Sequence, residues 1–141
     1  MKPVFLIIES RYYEDISNYL LEGAIKSFKE KSYSFEIITV LGALEIPVAM
    51  SMAIKLKKYS GLVGLGCVIR GETFHFEIVS KTSANAIMNI GINHSIPVGN
   101  GILTVENKSQ ALIRADINKK NVGGHAALAA IRLFESFKKN V

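Results

Sequence analysis

Four short stretches of this chain are rich in apolar residues, and longer stretches between them repeat apolar residues every three or four positions. The short stretches, Val4–Ser10, Ser34–Val40, Gly61–Val68 and Pro97–Thr104, are expected to be strands. The first and third are apolar almost without a break, a pattern that suits strands covered on both faces. The longer stretches predict helices over Asp15–Lys31, Ile46–Tyr59, Phe76–Ile92, Lys108–Ala115 and Val122–Lys139. In the first of these, Ile16, Tyr19, Leu20, Gly23, Ala24 and Phe28 share one face, and Asp15 or Ser17 is placed to cap the start. In the second, Pro47 falls in the first turn, where proline is tolerated.

Strands and helices alternate, with two helices at the end. This order predicts an open four-stranded parallel sheet with helices on both faces, a three-layer α/β/α sandwich. No linker, repeat or low-complexity segment interrupts it, so residues 1–141 are expected to form one domain. In such sheets a ligand sits beyond the carboxyl ends of the strands. Those ends are Ser10–Tyr13, Val40–Pro47, Val68–His75 and Thr104.

Composition adds exclusions. A chain of 141 residues, 49% of them hydrophobic, buries enough surface to fold without a disulfide or a metal. Cys67 is the single cysteine, which excludes an internal disulfide and a thiolate zinc site and points to the reducing cytoplasm. The apolar run at Val4–Ile8 is too short for a signal-peptide core or a membrane span. The sequons at Asn93 and Asn107 are then without consequence. The net charge of +5 raises the question of nucleic acid. The lysines, however, are scattered at expected helix ends (Lys26, Lys29, Lys31; Lys55, Lys57, Lys58; Lys138, Lys139), where they complement helix dipoles. No basic and aromatic stripe accompanies them, so no nucleic-acid partner is expected.

The chemistry gathers after the third strand. Arg70-Gly71-Glu72-Thr73-Phe74-His75 joins that strand to a helix. Backbone amides at a helix start, with the dipole behind them, attract an anion. Gly71 permits close backbone approach. Thr73 adds a hydroxyl, or else simply caps the helix. His75 lies in the same turn, and imidazoles exchange protons near neutral pH. His94 and His125 lack such company and are read as structural. Gly61, Gly64 and Gly66 do not form a dinucleotide loop, because they precede the strand end and no acidic residue follows about 20 positions on.

The string from Gly66 to Glu77, Gly-Cys-Val-Ile-Arg-Gly-Glu-Thr-Phe-His-Phe-Glu, resembles the signature of the lumazine synthase family. The likeness extends along essentially the whole chain. Arg11-Tyr12-Tyr13 is similar to an Arg-Phe-Asn stretch, and Gly42-Ala43-Leu44-Glu45-Ile46-Pro47 to Gly-Ala-Phe-Glu-Ile-Pro, with Leu41 in place of a leading proline. Pro97-Val98, Gly101-Ile102-Leu103-Thr104, Gln110-Ala111, Arg114-Ala115 and Gly123-Gly124-His125-Ala126-Ala127 fit later stretches.

The resemblance implies a flavodoxin-like fold and a reaction that needs no cofactor and no metal. The 5-amino group of 5-amino-6-(D-ribitylamino)uracil condenses with the ketone of 3,4-dihydroxy-2-butanone 4-phosphate. An imine forms, phosphate leaves, and ring closure yields 6,7-dimethyl-8-ribityllumazine, in riboflavin biosynthesis. It implies His75 as the proton-transferring residue and Glu72, Thr73 and Arg114 around the phosphate. Tyr12 is implied to stack on the pyrimidine, Ala43, Leu44 and Glu45 to meet the ribityl chain and ring, and Cys67, Val68 and Ile69 to offer backbone polar groups to the pyrimidine edge. The family builds each pocket between two subunits, so Asn100 and Arg114 are expected from a neighbour in a homo-oligomer, a pentamer or a shell of pentamers.

Some positions depart from the family pattern. Tyr13 replaces the usual asparagine, Asn100 replaces a frequent aromatic, and Asn118 and Val122 stand where lysines are common, with Lys119 and Lys120 nearby. The chain also begins almost at its first strand, without the extension by which many members add a strand to a neighbour. Two other readings compete: a non-catalytic shell of the same fold that holds flavin or lumazine, and a flavodoxin-like electron carrier. The carrier would need a small-residue phosphate loop after the first strand, where Glu9-Ser10-Arg11-Tyr12 stands instead.

Overall fold

A computed structural model describes residues 2–138. The elements are β1 (Val4–Ser10), α1 (Glu14–Glu30), β2 (Ser34–Val40), α2 (Glu45–Ile54), β3 (Gly61–Ile69), α3 (His75–His94), β4 (Val98–Val105), α4 (Lys108–Ala115) and α5 (Val122–Lys138). All strand pairs are parallel, in the order β2-β1-β3-β4. The fold is a three-layer α/β/α sandwich of the flavodoxin-like kind, as the alternation of elements implies.

The continuous apolar character of β1 follows from its place inside the sheet. Successive side chains of a strand point to opposite faces. Phe5 and Ile7 therefore enter the core under α1 and α5, while Leu6 and Ile8 enter the core under α2, and all four are fully buried or nearly so. The first core also takes Ile16, Leu20, Phe28, Val63, Leu65 and Ile131; the second takes Ile46, Met50, Leu62 and Ile87. Glycines let the helices come down onto the sheet and onto each other. A Cβ on Gly99 would stand 1.9 Å from the carbonyl oxygen of Ala126 in α5, and one on Gly123 would stand 2.1 Å from that of Leu20 in α1.

Several local expectations are corrected. Neither Asp15 nor Ser17 caps α1. The cap position is Tyr13, without a side-chain cap bond, and the Ser17 hydroxyl instead donates to the carbonyl of Ser10. Ser17 is also buried on the inner face, whereas Tyr19 is 37% exposed. Helix α2 stops at Ile54 rather than Tyr59: Lys57 adopts a left-handed backbone (φ 52°), and Leu56, although in phase with the helix, faces solvent. Lys55, Lys57 and Lys58 therefore lie past the helix, and Lys58 pairs with Glu36 of β2 at 2.6 Å. Lys29 and Lys138 do occupy the last turns of α1 and α5. The expected end of α5 at Lys139 lies outside the described residues. No helix is long and apolar enough to cross a membrane among the described residues.

Candidate functional site

The strand order sets the loops after β2, β1, β3 and β4 side by side along one edge of the sheet. Tyr12 stands out from the β1 loop, 79% exposed. The half-buried ring of Tyr13 meets it nearly edge-on, with centroids 4.9 Å apart. After β2, the amides of Glu45 and Ile46 bond back to the carbonyls of Gly42 and Ala43, at 3.1 and 3.2 Å. This tight turn buries Ala43, places Leu44 at the start of α2 and leaves Glu45 exposed as its first residue.

β3 outlasts its neighbour. Its pairing with β1 ends at Leu65, whereas its pairing with β4 continues to Ile69. Alternate residues of a parallel strand turn their backbone polar groups to alternate neighbours. Leu62 and Arg70 donate toward the β4 side, to Pro97 and Val105 at 2.9 Å each. By the same alternation Val68 faces β4, and Cys67 and Ile69 turn toward the side of β1, beyond its last paired residue.

The turn after β3 is held by Arg70. Its guanidinium bonds to Glu106 at 2.6 Å and to Glu77, and lies 4.3 Å from the ring centroid of Phe76. The bonds to Glu77 and Glu106 raise the arginine's pKa, and the bond to Arg70 holds the Glu77 carboxyl below its ordinary range. Gly71 needs no unusual backbone angle, and a Cβ there would meet nothing within 4 Å. Its value here is open space. The Thr73 hydroxyl oxygen accepts from the amide of His75 at 3.3 Å. It so does part of a cap's work, and its proton remains to be donated. The amides of Glu72, Thr73 and Phe74 donate to no protein group among the described residues. They stand at the start of a 20-residue helix, where unpaired amides and the dipole together favour negative charge.

An ionic network beneath the β1 loop is absent from the sequence reading. Glu9 is 3% exposed, and its carboxylate accepts from Arg11 and from the Thr39 hydroxyl, each at 2.7 Å. Arg11 also reaches Glu14 at 3.1 Å and Asn18. A buried carboxylate survives only when paired, so this network pins the loop that carries Tyr12. A carboxylate ending the apolar run Val-Phe-Leu-Ile-Ile, two residues before an arginine, was the signal in the sequence.

Two expected residues lie apart from this edge. Asn100 pairs with Gly64 partway along β4, and its side chain accepts from the Ile102 amide at 2.9 Å. Arg114 is on α4, which packs with α1 and α5, on the opposite face of the sheet from α3. Its one side-chain bond among the described residues goes to the carbonyl of Gln110, at 3.1 Å. Arg11 and Arg70 are both held by carboxylates; Arg114 has no such partner among the described residues.

Burial, and secondarily the charge of Asp15, pushes the Cys67 thiol up to about 11. At pH 8 a thiol of that pKa is about one thousandth thiolate, and the thiolate is the reactive form. Alkylation of the folded protein by iodoacetamide at pH 8 should therefore run about 100-fold slower than alkylation of the chain unfolded in guanidinium. Comparable rates would show a reactive thiol.

A flavodoxin-like sandwich with free helix-start amides and an exposed histidine at its carboxyl edge is a framework for handling a small anionic ligand. A profile of the 6,7-dimethyl-8-ribityllumazine synthase family matches residues 2–138. The 6,7-dimethyl-8-ribityllumazine synthase of Agrobacterium fabrum is 48% identical to this chain, over 98% of it and 97% of the relative. That of Zymomonas mobilis is 50% identical over 96% of both chains, and that of Bartonella tribocorum 52% identical over 92% and 87%. The chain belongs to the 6,7-dimethyl-8-ribityllumazine synthase family.

Proposed function

We propose that the chain condenses 5-amino-6-(D-ribitylamino)uracil with 3,4-dihydroxy-2-butanone 4-phosphate to 6,7-dimethyl-8-ribityllumazine, releasing phosphate and water. As a member of its family it is a transferase of riboflavin biosynthesis. The observation that carries the residue-level reading is the turn before α3, where free amides, a hydroxyl and an imidazole stand within four residues.

Each step has a group to serve it. The amides of Glu72 and Thr73, with the Thr73 hydroxyl, hold the phosphate of the ketone and later favour its departure as an anion. His75 moves the protons of imine formation, elimination and dehydration. The ring of Tyr12 stacks on the pyrimidine, and Cys67 and Ile69 bond its edge through their backbones, with Val68 between them in the wall. Glu45 accepts from ribityl hydroxyls beside Ala43 and Leu44. No cofactor and no metal takes part.

The pocket closes against a second copy of the chain. Arg11 and Arg70 are neutralised by carboxylates, whereas Arg114 and Arg132 have no carboxylate partner among the described residues. Of these two, Arg114 is the one the family resemblance assigns to the phosphate, and it comes from a neighbour, as does Asn100. We infer a pentamer, or a shell of pentamers, of single-domain chains working in the cytoplasm. The deciding experiment supplies both substrates and follows lumazine formation and phosphate release. Binding of lumazine without turnover would instead support a non-catalytic shell. Size-exclusion chromatography with light scattering reads the assembly, and a monomer would contradict the shared pocket.

A further inference from the structure

Tyr12 offers its ring from the tip of a loop, and a side chain that exposed samples several rotamers unless something holds it. Within this chain the holder is Tyr13. Its ring meets Tyr12 at 4.9 Å with an interplanar angle of 69°, an edge-to-face arrangement. Tyr13 is in turn anchored: it packs against the core under α1 and α5, in the company of Cys67 and Ile69, and its backbone carbonyl accepts from the Ser17 amide at 2.9 Å. The loop beneath is fixed by the ion pair of the buried Glu9 with the half-buried Arg11. The Tyr12 ring thus leans on an anchored ring, and that ring packs against the same core as Cys67 and Ile69 at the strand end that would read the pyrimidine.

We propose that Tyr13 is a positioning residue for the pyrimidine substrate: it holds the Tyr12 ring in its stacking orientation through their edge-to-face contact. The proposal rests on the function given above. Asn100, with its side chain bonded to its own strand, offers no second aromatic face. Stacking is then one-sided, and affinity depends on how far the Tyr12 ring is already oriented before the substrate arrives.

The test separates orientation from mere stability. Tyr13→Leu keeps an apolar side chain in the core and removes the ring; Tyr13→Phe keeps the ring and removes the hydroxyl. Tyr13→Leu should raise KM for the ribitylaminouracil about 3–10-fold, the range of an aromatic pair contact, and leave KM for the phosphorylated ketone within twofold. Tyr13→Phe should restore the wild-type pyrimidine KM. Combined with Tyr12→Ala, Tyr13→Leu should add almost nothing further, because it acts through the ring already removed. An unchanged pyrimidine KM in Tyr13→Leu, equal increases for both substrates, or full additivity with Tyr12→Ala would each overturn the proposal while leaving the enzymatic function standing. Wild-type protein that fails to turn over the substrates would overturn both.

Discussion

Replacing His75 by alanine should slow the condensation by about 10²–10⁴-fold at saturating substrate, the usual contribution of a general acid–base group. The chemistry asks for repeated proton transfers: the amine loses a proton, the carbinol oxygen must leave as water, and elimination of phosphate requires removal of a proton from carbon. His75 is the first residue of α3, is exposed, and its imidazole makes no hydrogen bond to protein among the described residues. It is therefore free to exchange protons with a substrate held on the neighbouring amides. For the same reason its removal should not unfold the chain, and alanine is the better helix former. The fall stays toward the lower end if uncatalysed amine–ketone condensation contributes. Circular dichroism and the elution volume should match wild type. An unchanged rate at saturation would remove His75 from the mechanism.

Arg114→Ala should weaken binding of the phosphorylated ketone by about 10²-fold or more, from the loss of charge-assisted hydrogen bonds, and should change pyrimidine binding much less. Arg114→Lys should restore only part, since an ammonium does not reproduce the planar fork. Equal losses for both substrates would mark Arg114 as structural. The position of α4 adds a sharper expectation. Within one chain Arg114 lies on the face of the sheet opposite α3, and the shared pocket proposed above takes its guanidinium from another copy. Inactive His75→Ala protein mixed with inactive Arg114→Ala protein, under conditions of subunit exchange, should then regain activity. Random pairing in equal amounts leaves about one quarter of interfaces with both residues intact. A closed pocket also suits the chemistry, because water hydrolyses imines and weakens phosphate contacts. Mixed oligomers that form and stay inactive would place each site within one chain.

The alternation of apolar strands and amphipathic helices was enough to specify the parallel sandwich, because burial on both faces leaves β1 and β3 no polar positions until their ends. The turn from Arg70 to His75 was legible for a related reason: its parts are contiguous, so their spacing in the chain is their spacing in space. Resemblance to a family supplied the reaction and the substrates, which no periodicity contains. What the sequence left open depends on contacts between distant residues. Glu9 looked like the end of a hydrophobic strand until Thr39 and Arg11 closed around it, 30 and 2 positions away. Arg70 stood in the sequence only as the first residue of the turn, and its pairing with Glu106, 36 positions on, appears only in the fold. Likewise the length of α2 turned on whether Leu56 found a core to enter, and it found solvent. Local pattern determines which elements form and which faces they bury. Which charges are free, and which face of the sheet a residue such as Arg114 occupies, is decided only when the packed layers bring their partners together, since ion pairing and burial depend on separation in space and not along the chain.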